Sequence, residues 1–230
     1  MKNLNIFNLI KKGLIVSCQA LEDEPLFDPY IMARMAYAAK LGGAVAIRAN
    51  SPEQIRKIKE AVDLPIIGLY KKTYIDSNVF ITPTEAEVDE LYECGVDIIA
   101  LDATNRLRPT GQRLNEFFVR IKANYPETIF MADCSNYDEA IYAEGLGFDC
   151  VATTLAGYTE YTKDIELPDF NMIEKLKKDV SVPIISEGGI WNPEQLSQAF
   201  LSGAWSVVVG SAITRPMEIT KRFVDAIKQL

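Results

Sequence analysis

The sequence contains no histidine. That absence excludes Ser-His and Cys-His nucleophile pairs, zinc sites built on imidazole, and sugar-phosphate epimerases that hold a metal through histidines. Acid–base chemistry is left to Lys, Glu, Asp, Tyr or Cys. Cysteine is sparse too. Cys18, Cys94, Cys134 and Cys150 are widely spaced and form no CxxC pair. Buried, reduced thiols are therefore expected rather than a disulfide framework. No apolar run approaches the roughly 18 residues of a membrane helix. The N-terminal stretch has lysines on both sides of a short mixed segment and no small-residue cleavage site, so no secretory signal is expected. These absences read as a soluble, cytoplasmic protein. A basic face is missing as well. The net charge of −8 argues against nucleic-acid binding. An acidic protein that takes a phosphorylated ligand must build its positive field locally.

What is present is an alternation. The 230 residues suit one large domain, here residues 1–230, and lie within reach of a complete (β/α)8 barrel, which needs about 250. Short β-rich apolar runs recur eight times, at 13–17, 44–48, 65–70, 96–102, 128–133, 149–154, 183–187 and 205–210. They are nearly continuous apolar runs, as parallel strands covered on both faces should be. Helix signals sit between them. Ser51-Pro52-Glu53-Gln54, Thr84 with Glu87, and Asn192-Pro193-Glu194-Gln195 read as helix starts with capping boxes. Gly43, Gly95, Gly147 and Gly203 fall where helix C-caps belong. The last segment places Ile219, Phe223, Ala226 and Ile227 on one helical face, and the first twelve residues suggest a short helix closing the barrel bottom.

Eight alternating units predict an α/β fold, a single (β/α)8 TIM barrel with a short N-terminal helix. The rival is an open doubly wound sheet. It usually carries a Gly-rich loop after its first strand, where this chain has Ser17-Cys18-Gln19-Ala20.

Barrel sites lie at the C-terminal ends of the strands. Those ends carry Ser17 and Gln19, Arg48 and Asn50, Lys71 and Lys72, Asp102, Asp133, Thr153 and Thr154, Glu187, and Gly210-Ser211. Gly188 and Gly189 after strand 7, and Gly210, Ser211 and Arg215 after strand 8, sit where barrels bind phosphate with backbone N–H groups. The same glycines would also serve plain tight turns. Arg215 could add a charge-assisted bond. Lys71 leaves an apolar strand, so it reads either as a pKa-lowered base or Schiff-base nucleophile, or as a solvated loop lysine. Glu187 reads as an acid–base group, or as an ion-pair partner of Arg48 or Lys71. Arg48 and Asp133 read as binders of sugar hydroxyl and amide groups, with salt-bridge scaffolding as the alternative. Asp102-Ala103-Thr104 reads as a helix-cap or turn element. The segment 153–159 reads as a substrate-covering loop or a hydroxyl-rich turn. Cys18 and Cys134 read as packed thiols, and Trp191 and Trp205 as core or interface aromatics.

The chain resembles the bacterial N-acetylmannosamine-6-phosphate 2-epimerase family from residue 13 to 223. The likeness runs through Gly13-Leu14-Ile15-Val16-Ser17-Cys18-Gln19-Ala20-Leu21, Ile47-Arg48-Ala49-Asn50, Gly68 with Lys71, Phe80-Ile81-Thr82-Pro83-Thr84, Met131-Ala132-Asp133, Glu187-Gly188, and Val209-Gly210-Ser211-Ala212-Ile213-Thr214-Arg215-Pro216. It implies a TIM barrel that interconverts N-acetylmannosamine 6-phosphate and N-acetylglucosamine 6-phosphate in sialic-acid catabolism, without a cofactor or metal. It implies Lys71 and Glu187 as catalytic residues. Gln19, Arg48 and Asp133 would be sugar-binding, and the Gly210 loop with Arg215 phosphate-binding. Cys134, Ala156 and the extension 1–12 depart from the usual pattern. The expected partner is the small phosphorylated amino sugar, with a homodimer possible and neither nucleic acid nor membrane. A Schiff-base aldolase and a non-catalytic sugar-phosphate binding protein are the alternatives.

Overall fold

A computed structural model describes residues 5–228. The eight expected strands are all present, as β1 (Leu14–Cys18), β2 (Ala46–Asn50), β3 (Ile66–Leu69), β4 (Ile98–Asp102), β5 (Ile129–Asp133), β6 (Cys150–Ala152), β7 (Ile184–Glu187) and β8 (Ser206–Val209). Each pairs in parallel with the next, and β8 pairs back to β1 through Leu14 to Val16 and Val207 to Val209. The sheet is therefore a closed barrel, not the open alternative. The helices are α1 (Ile6–Ile10), α2 (Pro29–Leu41), α3 (Pro52–Ala61), α4 (Glu85–Glu93), α5 (Leu114–Asn124), α6 (Tyr137–Leu146), α7 (Phe170–Asp179), α8 (Pro193–Ser202), α9 (Ser211–Thr214) and α10 (Pro216–Ile227).

Side chains alternate along a strand, so each apolar run feeds two cores. The outward residues Val16, Ile47, Ile66, Ile99, Phe130, Val151 and Val207 pack against helix residues such as Met32, Ile55, Val88, Phe117 and Leu176. The inward residues Ile15, Ala46, Ile67, Ile98, Ile129, Met131, Ile185 and Val208 fill the barrel itself. Ile6, Phe7 and Ile10 of α1 join this inner cluster and close the bottom, as expected. Trp205 donates its indole N–H to the Phe7 carbonyl at 2.7 Å, and the Ser206 hydroxyl bonds to the Ile10 carbonyl. Residues 1–4 of the expected closing segment lie outside the described residues.

Helix starts follow the sequence with two corrections: Gln195 accepts from the Trp191 N–H instead of closing a box on Asn192, and Ser51 lacks its cap. Glu87 closes the capping box on the Thr84 N–H at 2.8 Å, and Asn192 accepts from the Gln195 N–H at 2.8 Å. Ser51 makes no side-chain cap. Its own N–H is taken by the Leu69 carbonyl at 2.9 Å, which holds it at φ +64°, and Gln54 turns away to bond the Ala20 carbonyl. The apolar face of α10 is present but uncovered: no residue of that helix is buried.

One element was not foreseen. After β3 the chain forms a two-stranded arm, bridged between Lys71 and Ile81 and again between Tyr74 and Ser77. Arg108, buried against the Phe117 ring, donates to the Thr82 and Pro83 carbonyls at 3.1 and 3.0 Å and also to the Asp102 carbonyl. It ties the base of the arm to the end of β4.

Candidate active site

The inward alternation does not stop at the apolar layers. Two residues beyond Ile15, Ala46, Leu69, Met131, Ala152 and Ile185 come Ser17, Arg48, Lys71, Asp133, Thr154 and Glu187. The same parity that fills the barrel with hydrocarbon thus places a polar layer at its C-terminal mouth. A cavity of about 1400 Å³ opens there, lined among others by Gln19, Arg48, Lys71, Thr154, Glu187 and Arg215.

Arg48 organises this layer. It is 1 % exposed and makes a two-pronged contact with Asp133, Nη1 to Oδ1 at 3.1 Å and Nη2 to Oδ2 at 2.5 Å. Its Nη1 also lies 3.2 Å from Glu187 Oε2. Burial works to lower the guanidinium pKa, but Asp133 and Glu187 outweigh it and the net shift is upward. Thr154 Oγ1 lies 2.7 Å from Asp133 Oδ1 and 3.1 Å from Glu187 Oε2. Among the described residues, Arg48 Nε and Gln19 Oε1 are buried without a hydrogen-bond partner. Gln19 donates its amide to Ser17 Oγ at 2.7 Å.

Lys71 and Glu187 are shifted toward each other's range. Burial, then the neighbouring Arg48 and Arg215, bring the Lys71 ammonium down to about 8, against the opposing pull of Glu187 and Glu24. Burial raises the Glu187 carboxyl, with Asp133 adding to the shift and Arg48, Thr154 and Lys71 opposing it. Asn50 accepts the Lys71 backbone N–H at 2.8 Å and so fixes where the lysine leaves the barrel wall.

The glycine loops stand on the far side of the cavity. Gly188 and Gly189 have φ of +108° and +72°. A Cβ on Gly189 would come within 2.5 Å of the Leu167 Cβ, so only glycine fits this turn. Gly210 packs against Ser17, and Ser211 opens α9. Arg215 lies beside these loops, held by Glu24 at 2.8 Å.

The cavity thus brings together Gln19, Arg48, Lys71, Glu187, Gly188, Gly189, Gly210, Ser211 and Arg215. Asp133 has the salt-bridge arrangement named as its alternative. It is fully buried below the cavity, with both oxygens taken by Arg48 and Thr154, so it orients these two groups. Asp102 forms the expected turn, accepting from the Thr104 N–H and hydroxyl and pairing with Arg106. The 153–159 segment has hydroxyls tied into the main structure and others that face the cavity. Thr153 and Thr159 are bonded internally, while Thr154 and Tyr158 line the cavity. Trp191 is half-buried rather than core: it stands at the cavity wall under the Arg222 guanidinium, 4.1 Å away. Burial pushes the Cys18 thiol up to about 12 and Cys134 well above its usual range, as packed thiols require. Sequence reasoning missed the Glu24 partner of Arg215, 191 residues away, for which no local signal exists. Among the described residues no cluster of His, Cys, Asp or Glu could hold a metal ion. No helix among them is long and apolar enough to cross a membrane.

A closed parallel barrel with a lysine, a glutamate and an arginine in its mouth, beside two glycine turns, defines a (β/α)8-barrel protein equipped for acid–base chemistry on an anionic ligand. The chain belongs to the N-acetylmannosamine-6-phosphate epimerase family. The family model described as "Putative N-acetylmannosamine-6-phosphate epimerase" matches residues 32–229. A protein of Caldanaerobacter subterraneus subsp. tengcongensis named "Putative N-acetylmannosamine-6-phosphate 2-epimerase" is 55% identical over 226 residues, 98% of this chain and 95% of that one. One of the same name from Clostridioides difficile is 55% identical over 95% of this chain and 97% of its own. The solved N-acetylmannosamine-6-phosphate 2-epimerase of Clostridium perfringens superposes with a TM-score of 0.93 at 51% identity, over 98% of both chains. This extent corrects one expectation. With 226 of 230 residues matched, most of the segment 1–12 falls within the relatives' own length and is not an extension. These relatives favour neither an aldolase nor a binding protein.

Proposed function

We propose that this protein is an isomerase that interconverts N-acetylmannosamine 6-phosphate and N-acetylglucosamine 6-phosphate by moving the proton on C2. The observation that carries the reading is the pairing, in one cavity, of a lysine brought down to about 8 and a glutamate pushed up. Groups tuned in this way can take and give protons near neutral pH.

The C2 proton is acidic only when C1 is a free aldehyde, so the ring opens first. Lys71 then takes the proton as a neutral amine, and the electron pair of the broken C–H bond moves into an enediol-type intermediate. Glu187 opens the ring or returns a proton to the opposite face. Arg48, with its unpartnered Nε–H, and Gln19 steady the charge that develops. Asp133 holds Arg48 in place from below. Gly188, Gly189, Gly210 and Ser211 offer backbone N–H groups to the phosphate, and Arg215 supplies its positive charge. The reaction in this scheme needs no cofactor.

The four buried, unpaired thiols suit a reducing compartment, and the enzyme works in the cytoplasm on this reading. A homodimer also belongs to it, because α10 leaves Phe223, Val224 and Ile227 exposed.

Proton NMR of the protein with N-acetylmannosamine 6-phosphate in D2O tests the reaction. The expected result is the glucosamine epimer with deuterium at C2. An epimer without deuterium would keep the activity but require an internal, shielded transfer. No conversion would overturn the reading.

A further inference from the structure

The polar layer contains a group to which the mechanism above gives no task. Thr154 has one hydroxyl hydrogen and faces two carboxylates. The group it touches, Glu187, is faced by Arg48 from β2, Lys71 from the end of β3 and Asp133 from β5, and its main chain is bonded on both sides to Thr153 Oγ1. Among the described residues, the side-chain hydrogen bond and ion pair of Glu187 both fall on Oε2: Arg48 Nη1 at 3.2 Å and Thr154 Oγ1 at 3.1 Å. Oε1 has no such contact among the described residues, and Glu187 lines the cavity.

A carboxylic acid carries its proton on one oxygen. An oxygen that already accepts from two donors is a poor place for it, because the O–H would point at N–H and O–H hydrogens. We propose that Thr154 is a positioning residue for Glu187: together with Arg48 it makes Oε2 acceptor-only, and so directs the exchangeable proton to Oε1, the oxygen offered to the substrate. The hydrogen of Thr154 never leaves its own oxygen. It points at Glu187 Oε2 while Oε1 carries the proton and after that proton has gone to the sugar. Asp133 is the alternative acceptor, at the shorter distance of 2.7 Å, so the hydroxyl is never stranded in the buried layer.

The inference rests on Glu187 acting as an acid–base group, and the test separates the two. Thr154→Val keeps the shape and removes the donor, while Thr154→Ser keeps the donor and removes a methyl group. Both would be assayed for epimerisation across pH, with Glu187→Gln alongside. A hydrogen bond to a charged group is worth about 1.5–3 kcal/mol, so Thr154→Val is expected to lower kcat at least about tenfold, with KM changed less than about threefold. Thr154 favours the ionised form of Glu187, so its loss should move the limb governed by Glu187 to higher pH by about one unit. Thr154→Ser should restore both kcat and the limb. A valine variant with wild-type kcat and an unmoved limb would overturn the proposal. So would equal losses in both variants with the limb in place, which marks a packing role. Wild-type turnover in Glu187→Gln would instead sink the acid–base reading of Glu187 itself.

Discussion

The two ends of the barrel are built from the same inward alternation and do opposite things. At the bottom, Ile6, Phe7 and Ile10 seal the interior against Ile15, Ile98 and Ile129, and the Phe7 and Ile10 carbonyls are capped by Trp205 and Ser206. At the top, the next residues of the same inward rows are Arg48, Lys71, Asp133 and Glu187, with donors and acceptors left without partners. Closing the bottom secures a rigid frame. Leaving the top unsatisfied stores electrostatic interaction for a ligand, at the expense of stability. The comparison predicts that substitutions at the top change chemistry first, and those at the bottom change stability alone.

The largest expected effect is at Lys71. Lys71→Met should cut kcat by about 10²–10⁴-fold, the range for a lost general base, while the melting temperature stays level or rises. The wild-type stability itself should depend on this lysine. Its folded pKa of about 8 lies below the ordinary value of 10.5, so the unfolded chain binds more protons between these pH values. Stability should therefore rise with pH across that window, and the rise should be absent in Lys71→Met. Urea titrations at several pH values would check both statements. A Met variant that melts well below wild type would break the contrast between the ends.

Next comes Arg48→Met, the one top substitution expected to fail on both counts. It strands the fully buried Asp133, and breaking a buried pair costs about 3–5 kcal/mol. Urea unfolding would show the loss, and NMR the missing epimerisation. The smallest effect on catalysis belongs to Ile10→Ala. Its cavity should cost about 2–5 kcal/mol, read by the same unfolding curve, with kcat at the wild-type value wherever the protein is folded. A large fall in kcat for folded Ile10→Ala would mean that the bottom is coupled to the mouth.

The fold was legible because the strands are short, apolar and bounded. The run at 128–133 became β5 (Ile129–Asp133), and that at 183–187 became β7 (Ile184–Glu187). Lys71 and Glu187 were legible because a charge that ends an apolar strand has few places to go in a barrel. Depth was not legible. Asp133 and Glu187 end their strands alike, yet one is buried beneath Arg48 and the other reaches the cavity. That difference depends on the stagger of neighbouring strands, which pairs Asp133 with Asp102 and Glu187 with Val208. The arm after β3 was also hidden, because Arg108 secures it through backbone carbonyls that any residue could supply. Ser51 departs for a related reason: its N–H pairs with the Leu69 carbonyl, which leaves Gln54 no donor for a capping box.

The bottom seal has a consequence for how the chain is made. Phe7 and Ile10 leave the ribosome long before their partners Trp205 and Ser206, which lie 198 and 196 positions later. The edge of β1 likewise waits for β8. Until Trp205 and β8 have emerged, the nascent protein carries an open β edge and an unburied Phe7, both invitations to misassociation. Ring closure by such distant segments is slow, and newly made molecules of this enzyme should be natural clients for chaperones during that interval.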